Sequence, residues 1–353
     1  MKDNVIHFYN TADFSQEEIL RLIDLALKIK AGKQKIQLLG KTLAMLFFNP
    51  SLRTRVSFAV AMQKLGGLAL DLPIKEGGSY TFEFERGVVM DKGTIEHVKE
   101  AASVLSRYCD GIAIRASELI TSSKDSVEVT SWETAAKDKV IKTFMEYASV
   151  PIINMESNVY HPCQGFGDAM TIKEKLGNTR GKKYVLTWVY HPKALPMATP
   201  ISEILSACDL GMNVVIVHPK GWEFDTEIVQ TMGKKAELAS GSLSIVNNME
   251  EGLKGADIVC AKSWGAAKFY GSWEEEKKMK EKLKNWIVSQ KKMELTNHAY
   301  FMHCLPVRRN VEVTDEVMDG KNSLVIDQAE NRLWGQMAIL AFVLGGIDKY
   351  ENQ

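Results

Sequence analysis

The feature that most limits what this chain can fold into is an alternation of short apolar runs with longer amphipathic ones. In the first half, runs of strand length stand at Thr42–Phe48, Leu68–Leu72, Gly111–Ile114 and Pro151–Met155, with helical spacing between them at Arg53–Leu65, Ile95–Tyr108 and Glu133–Tyr147. The second half repeats the rhythm. Its strand candidates are Tyr184–Tyr190, Asn213–His218, Ser244–Asn247, Asp257–Ala261, Tyr300–Leu305 and Leu324–Ile326, and helices begin near Pro200, Thr226 and Met249. Strands that are apolar on both faces need cover on both faces, and helical crossovers supply it. The expectation is an α/β protein of two doubly wound parallel-sheet domains, with the active site in the cleft between them. In such sheets ligands meet the carboxyl ends of strands, so a motif that carries chemistry should stand just after a strand.

A length of 353 residues suits two domains. The polar segment Asn178–Lys183, after a helix ending near Leu176, is the expected hinge, which divides the chain into 1–177 and 178–328. A final helix, with its apolar pattern over Ala329–Leu344 and its end within 329–353, is expected to pack back on the first domain. At the other end, Ser15 and Glu18 form a capping box ahead of a helix reaching Lys30. The polar stretch Ser122–Ser126 reads as a surface loop.

Composition removes several classes of function. The 44 Lys+Arg balance 44 Asp+Glu, which leaves no surplus of cations for a nucleic-acid backbone. No apolar run approaches the ~20 residues that cross a bilayer, and the opening Met1-Lys2-Asp3-Asn4 has no secretory pattern. Cys109, Cys163, Cys208, Cys260 and Cys304 are scattered and odd in number, so neither a zinc site nor a disulfide framework is expected. A cytoplasmic protein with reduced thiols fits this pattern.

The strongest chemical signal is Asn49-Pro50-Ser51-Leu52-Arg53-Thr54-Arg55, which follows an apolar strand and opens a helix. Ser51 is placed as N-cap. The free N–H groups of the first turn, two hydroxyls, Arg53 and Arg55 then make an anion site suited to phosphate. A capped helix with two solvated arginines would show the same spacing.

Ser-x-Arg-Thr-Arg at the end of the first strand resembles the carbamoyl-phosphate loop of the aspartate and ornithine transcarbamylases. His161-Pro162-Cys163-Gln164 is similar to that family's His-Pro-x-Gln, and His303-Cys304-Leu305-Pro306 to its His-Cys-Leu-Pro, in the family's order. The resemblance implies that Ser51, Leu52, Arg53 and Thr54 hold the phosphate. Arg115 would reach phosphate and carbonyl oxygen, and His161 and Gln164 the carbonyl and amide ends. Backbone carbonyls of Cys304 and Leu305 would accept from the carbamoyl nitrogen, and Arg332 would close the site. Catalysis is then expected from Arg53, Thr54, Arg115, His161 and Gln164, by orientation and electrostatics, with no metal, cofactor or covalent intermediate. Tyr80 occupies the place of a tryptophan that reaches a neighbouring subunit's site in the family. A homotrimer with shared active sites is therefore implied.

The acceptor is read from Ala261-Lys262-Ser263-Trp264-Gly265-Ala266, which resembles the branch of the family acting on N-acylated ornithine. Acylation removes the α-ammonium and leaves the carboxylate, for which Lys262 is the natural partner. Glu156 and Leu305 are implied to contact the acylornithine. Ile95 and Glu312 fall at positions where the acetyl and succinyl enzymes differ. Ile95 would not repel a succinyl carboxylate, whereas the runs around Trp188, Lys262 and Trp264 favour acetyl, which is the expected acyl group. The alternatives are N-succinylornithine as acceptor, another amine, and a non-catalytic carbamoyl-phosphate sensor of the same fold.

Overall fold

In the computed structural model, which describes residues 5–74, 80–117 and 131–345, the alternation becomes two parallel sheets. In chain order the strands are β1 (Thr42–Phe47), β2 (Leu68–Pro73), β3 (Phe82–Glu83), β4 (Glu96–His97), β5 (Gly111–Arg115) and β6 (Ile152–Glu156), then β7 (Lys183–Thr187), β8 (Asn213–Val217), β9 (Ser242–Val246), β10 (Ile258–Ala261) and β11 (Tyr300–Met302). The first sheet runs β2-β1-β5-β6 and the second β11-β10-β7-β8-β9, while β3 and β4 form a separate two-stranded sheet. All these pairings are parallel. The inner strands are buried almost end to end. β2 and β9, at one edge of each sheet, contain no fully buried residue.

Strand order reverses between β1 and β5 in the first sheet and between β7 and β10 in the second. A crevice opens at each reversal, because the following helices diverge to opposite faces. The Ser51–Thr54 turn follows β1, Arg115 ends β5 and Glu156 ends β6; Lys262 follows β10 and His303 follows β11. Every motif thus stands at a carboxyl end, as the fold class requires.

Three helices join the halves. The Pro162–Leu176 helix is buried continuously from Pro162 to Ile172 because it lies between the Ala198–Asp209 helix and the final helix, Val325–Leu340. Glycines set these approaches. A Cβ on Gly165 would stand 2.3 Å from the Ser202 carbonyl oxygen, and one on Gly335 would stand 2.9 Å from the Phe166 ring. The final helix also packs on the Gln16–Lys30 and Arg53–Lys64 helices. Asn331 ties it down by donating to Thr171 Oγ1 at 2.9 Å and to Glu174 at 3.0 Å. The capping box at Ser15 and Glu18 forms with both reciprocal bonds.

Two local expectations are corrected, and one helix was not expected. Leu324–Ile326 is not a strand: Leu324 caps the final helix, which starts at Val325 and ends at Leu340 in a π-type turn over Ala341–Gly345. An apolar triplet has no period of its own, and Gln328, bonded to the His303 backbone, holds it in the helical turn. The Glu133–Tyr147 pattern splits into Trp132–Ala135 and Lys139–Tyr147 at Asp138, which has φ of 48°. Asp138 is held there by the Tyr9 hydroxyl at 2.7 Å, the Ser157 hydroxyl at 2.6 Å and the Asn158 N–H at 2.8 Å. A further helix at Trp273–Lys280, too charged to show an apolar stripe, escapes the pattern. Ser122–Ser126 and the chain beyond residue 345 lie outside the described residues.

Candidate active site

The Arg53–Lys64 helix begins with Leu52 as its formal N-cap, but the capping bond comes from the expected residue. Ser51 Oγ accepts the Thr54 N–H at 3.3 Å. The turn is laced to the next strand, since Phe48 N–H donates to the Arg115 carbonyl at 2.9 Å and Asn49 Oδ1 accepts the Ser117 N–H at 2.8 Å. A register shift in the β5–β6 pairing falls at Arg115, and such bulges re-aim side chains. Arg115 is ion-paired with Glu156 Oε2, an oxygen that also lies 3.6 Å from His161 Nε2.

Arg332, on the final helix, is the hub. Its Nη1 donates to Gln164 Oε1 at 2.7 Å and its Nη2 to Thr54 Oγ1 at 3.0 Å. Gln164 Nε2 donates in turn to Asp168 Oδ1 at 2.8 Å, and Gln328 Nε2 donates to the same oxygen at 2.7 Å. Gln328 Oε1 then accepts the His303 N–H at 2.9 Å. One continuous run of hydrogen bonds therefore connects the Ser-x-Arg-Thr-Arg, His-Pro-x-Gln and His-Cys-Leu-Pro turns.

Arg53 and Arg55 part company. Arg55 pairs with Asp71 at 3.2 Å and lies 4.4 Å over the Phe47 ring, so the expectation that it joins the anion site is corrected. Arg53, among the described residues, has no ion pair or hydrogen bond, and its charge bears on both His161 and His303. Burial, reinforced by the charges of Arg332, Arg115, Lys262 and Arg53, pushes His161 well below the usual histidine range. The imidazole is neutral, and the cations around it form a field that favours an anion. His161 Nδ1 is buried with no hydrogen-bond partner among the described residues, and the backbone N–H of this residue is held by Ser202 Oγ at 2.8 Å.

Lys262 follows β10 on a turn fixed by tryptophans. Trp188 Nε1 donates to the Trp264 carbonyl and Trp264 Nε1 to the Trp222 carbonyl, each at 2.9 Å. All three indoles are buried, each contributing on the order of 2–3 kcal/mol. Burial alone would lower the Lys262 ammonium, but Cys304, Glu312, Glu203 and Glu156 raise it. Its charge is retained, with no ion pair among the described residues. Glu312 Oε2 accepts the Arg308 backbone N–H at 2.7 Å, and its Oε1 lies 3.6 Å from His303 Nε2. The Arg308 side chain turns to His191 instead, Nε donating to Nε2 at 2.9 Å. Leu305 has φ of 54°, and its N–H donates to His303 Nδ1 at 3.0 Å. Burial pushes the Cys304 and Cys163 thiols up to about 12, which makes neither a nucleophile.

Two expected residues stand apart from this cluster. Tyr80 is hydrogen-bonded to Glu96, and Ile95, 57% exposed, lies beside the β3–β4 pair. Conversely, sequence reasoning passed over Asp168, Gln328 and Glu203. Asp168 stands one helical turn after Gln164, which was a usable signal. Burial raises its carboxyl to about 7 and holds Glu203 well above the carboxylate range. Glu203, 1% exposed, is a carboxyl group inside a helix buried along its whole length, with the Cys260 thiol as a hydrogen-bond partner.

Comparison with known proteins gives the following. A family model described as aspartate/ornithine carbamoyltransferase, carbamoyl-P binding domain, matches residues 6–174, and one described as the Asp/Orn binding domain matches residues 198–343. An N-acetylornithine carbamoyltransferase of Xanthomonas campestris is 42% identical, covering 96% of this chain and 98% of the relative. An N-succinylornithine carbamoyltransferase of Bacteroides thetaiotaomicron is 35% identical, covering 92% and 94%. A crystal structure of acetylornithine transcarbamylase complexed with acetylcitrulline superimposes with a TM-score of 0.89 at 42% identity, covering 96% of this chain and 98% of that one.

Proposed function

We propose that this chain, which belongs to the aspartate/ornithine carbamoyltransferase family, transfers the carbamoyl group of carbamoyl phosphate to the δ-amine of N-acetylornithine, releasing N-acetylcitrulline and phosphate in a step of arginine biosynthesis. The observation that carries the reading is the convergence of four cations on a neutral His161, with three separate turns joined through Arg332 and Asp168.

The phosphate is assigned to the Ser51–Thr54 turn, Arg53 and Arg332, whose field favours a dianion. Arg115 and His161 face the carbamoyl oxygen, where negative charge grows as the amine attacks. Gln164 and the Cys304 and Leu305 carbonyls take the carbamoyl nitrogen. The δ-nitrogen lone pair forms the new C–N bond, the C–O bond to phosphate breaks with its electron pair, and the amine's proton leaves to a phosphate oxygen. Fixed donors at both oxygens supply the rate enhancement. Lys262 meets the acceptor's carboxylate, and Glu156, at the end of β6 beside His161, faces the amine.

Residues 1–177 with the final helix form the donor half in this reading, and 178–328 the acceptor half. The packing of Val325–Leu340 on the Gln16–Lys30 and Arg53–Lys64 helices supports it. Tyr80 and Ile95 are assigned to a neighbouring protomer's site in a homotrimer. Exposed Val88, Val89, Met90, Ile95 and Tyr108 in this part of the chain support an interface there. No helix among the described residues is long and apolar enough to cross a membrane, which agrees with action in the cytoplasm. The acetyl group is preferred because the acetylornithine relative is the more similar one. One observation favours N-succinylornithine: Ile95 offers no charge to repel a second carboxylate. Incubating purified protein with carbamoyl phosphate and N-acetylornithine tests the reading. Acetylcitrulline and phosphate in equal amounts support it, whereas ligand binding without phosphate release would make the chain a sensor.

A further inference from the structure

We infer that Asp168 is a positioning residue of the carbamoyl-phosphate pocket: its Oδ1 holds Gln164 and Gln328 together and so locks the His161–Gln164 turn to the His303–Leu305 turn. The inference rests on the transfer reaction proposed above. Its strength lies in the direction of each bond. Gln164 Oε1 is occupied by Arg332 Nη1 at 2.7 Å, so the amide nitrogen is the end that meets Asp168, at 2.8 Å. Gln328 Oε1 is occupied by the His303 N–H at 2.9 Å, so here too the nitrogen meets Asp168, at 2.7 Å. Both amides have only one orientation that satisfies every partner. Asp168 therefore serves as a double acceptor through one oxygen.

Asp168 is 1% exposed and Gln164 2%, while Gln328 is fully buried, so solvent does not replace a lost partner. Among the described residues Asp168 Oδ2 has no hydrogen-bond partner, which locates the function in Oδ1. Without that oxygen, Gln164 is free to rotate its amide and Arg332 loses the fixed carbonyl that aims it at the phosphate. The His303 turn, whose following carbonyls are assigned to the carbamoyl nitrogen, loses its anchor in the same event.

Three variants test this by steady-state kinetics with carbamoyl phosphate and N-acetylornithine, alongside thermal unfolding. Asp168→Asn keeps the accepting oxygen and should retain kcat/KM for carbamoyl phosphate within about tenfold of wild type. Asp168→Ala should lose about 100-fold or more, the scale of a small misplacement of reacting groups. Its KM for carbamoyl phosphate should rise while that for the acceptor stays put. Gln328→Met, which leaves Gln164 and Asp168 intact, should raise the carbamoyl-phosphate KM alone and keeps the test open should Asp168→Ala fail to fold. A folded Asp168→Asn as impaired as Asp168→Ala, a loss of active fraction with both KM values unchanged, or wild-type kinetics in Gln328→Met would each overturn the inference. Wild-type protein that releases no phosphate would instead overturn the reaction on which it rests.

Discussion

Arg53 and Arg55 differ by two positions and share a side chain, yet only Arg53 keeps its guanidinium free of ion pairs among the described residues, while Arg55 is held by Asp71. Arg53→Ala should therefore weaken carbamoyl-phosphate binding and turnover together, by about 2–4 kcal/mol in kcat/KM for a donor lost from a water-poor site; unchanged initial rates would remove Arg53 from the mechanism. His191 gives a second prediction at this scale. Burial lowers it to about 4, and its Nε2 accepts from Arg308 only when that nitrogen is unprotonated. In the unfolded chain the ordinary value is about 6.5, so between the two values the unfolded state binds the extra proton and acid erodes stability. The stability advantage of wild type over His191→Gln should be full above pH 6.5 and shrink steadily toward pH 4. Denaturant unfolding across that range measures it, and a pH-independent difference contradicts it. Residue types in the motifs were legible because phosphate and carbonyl chemistry dictates them. Asp168 and Gln328 were passed over: the bond between them spans 160 positions, and although Asp168 stands one turn after Gln164, nothing local marks Gln328 as its second partner.

At the level of elements, the Pro162–Leu176 helix sets the geometry, because both neighbours approach its backbone through glycine. Gly165→Ala would place a carbon 2.3 Å from the Ser202 carbonyl oxygen. Forced repacking of this kind costs about 1–3 kcal/mol, and it should also disturb the Ser202 bond to the His161 backbone. At Gly233, in the Thr226–Leu238 helix, a Cβ would meet nothing closer than 4.0 Å, so Gly233→Ala should stabilise by about 0.5–1 kcal/mol. Scanning calorimetry of the pair checks both signs; a stabilised Gly165→Ala would mean that the helix contact is not set by backbone approach. Strands and most helices were readable from periodicity, since burial on two faces imposes its own pattern. The break at Asp138 was not, because Tyr9, Ser157 and Asn158 create it from a distance, and Leu324–Ile326 was too short to carry a period.

For the whole molecule, Tyr80 and Lys262 belong to different protomers' sites if the trimer reading holds. Tyr80→Ala and Lys262→Ala, each weak alone, should then regain activity when dissociated and reassembled together, because hybrids contain a site with both residues intact. Hybrid oligomers that form but stay inactive would confine the site to one chain. The division into two sheets with a cleft was legible in the sequence, since a chain of this length must bury two cores. How the final helix returns to couple the halves was visible only as an expectation from its apolar face. The choice of acceptor is where the proposed function is most open to test, and one measurement addresses it: initial rates of phosphate release with N-acetylornithine, N-succinylornithine and ornithine at equal concentration. N-acetylornithine should be fastest and free ornithine barely used, and rapid turnover of ornithine with neither acyl derivative would contradict the assignment.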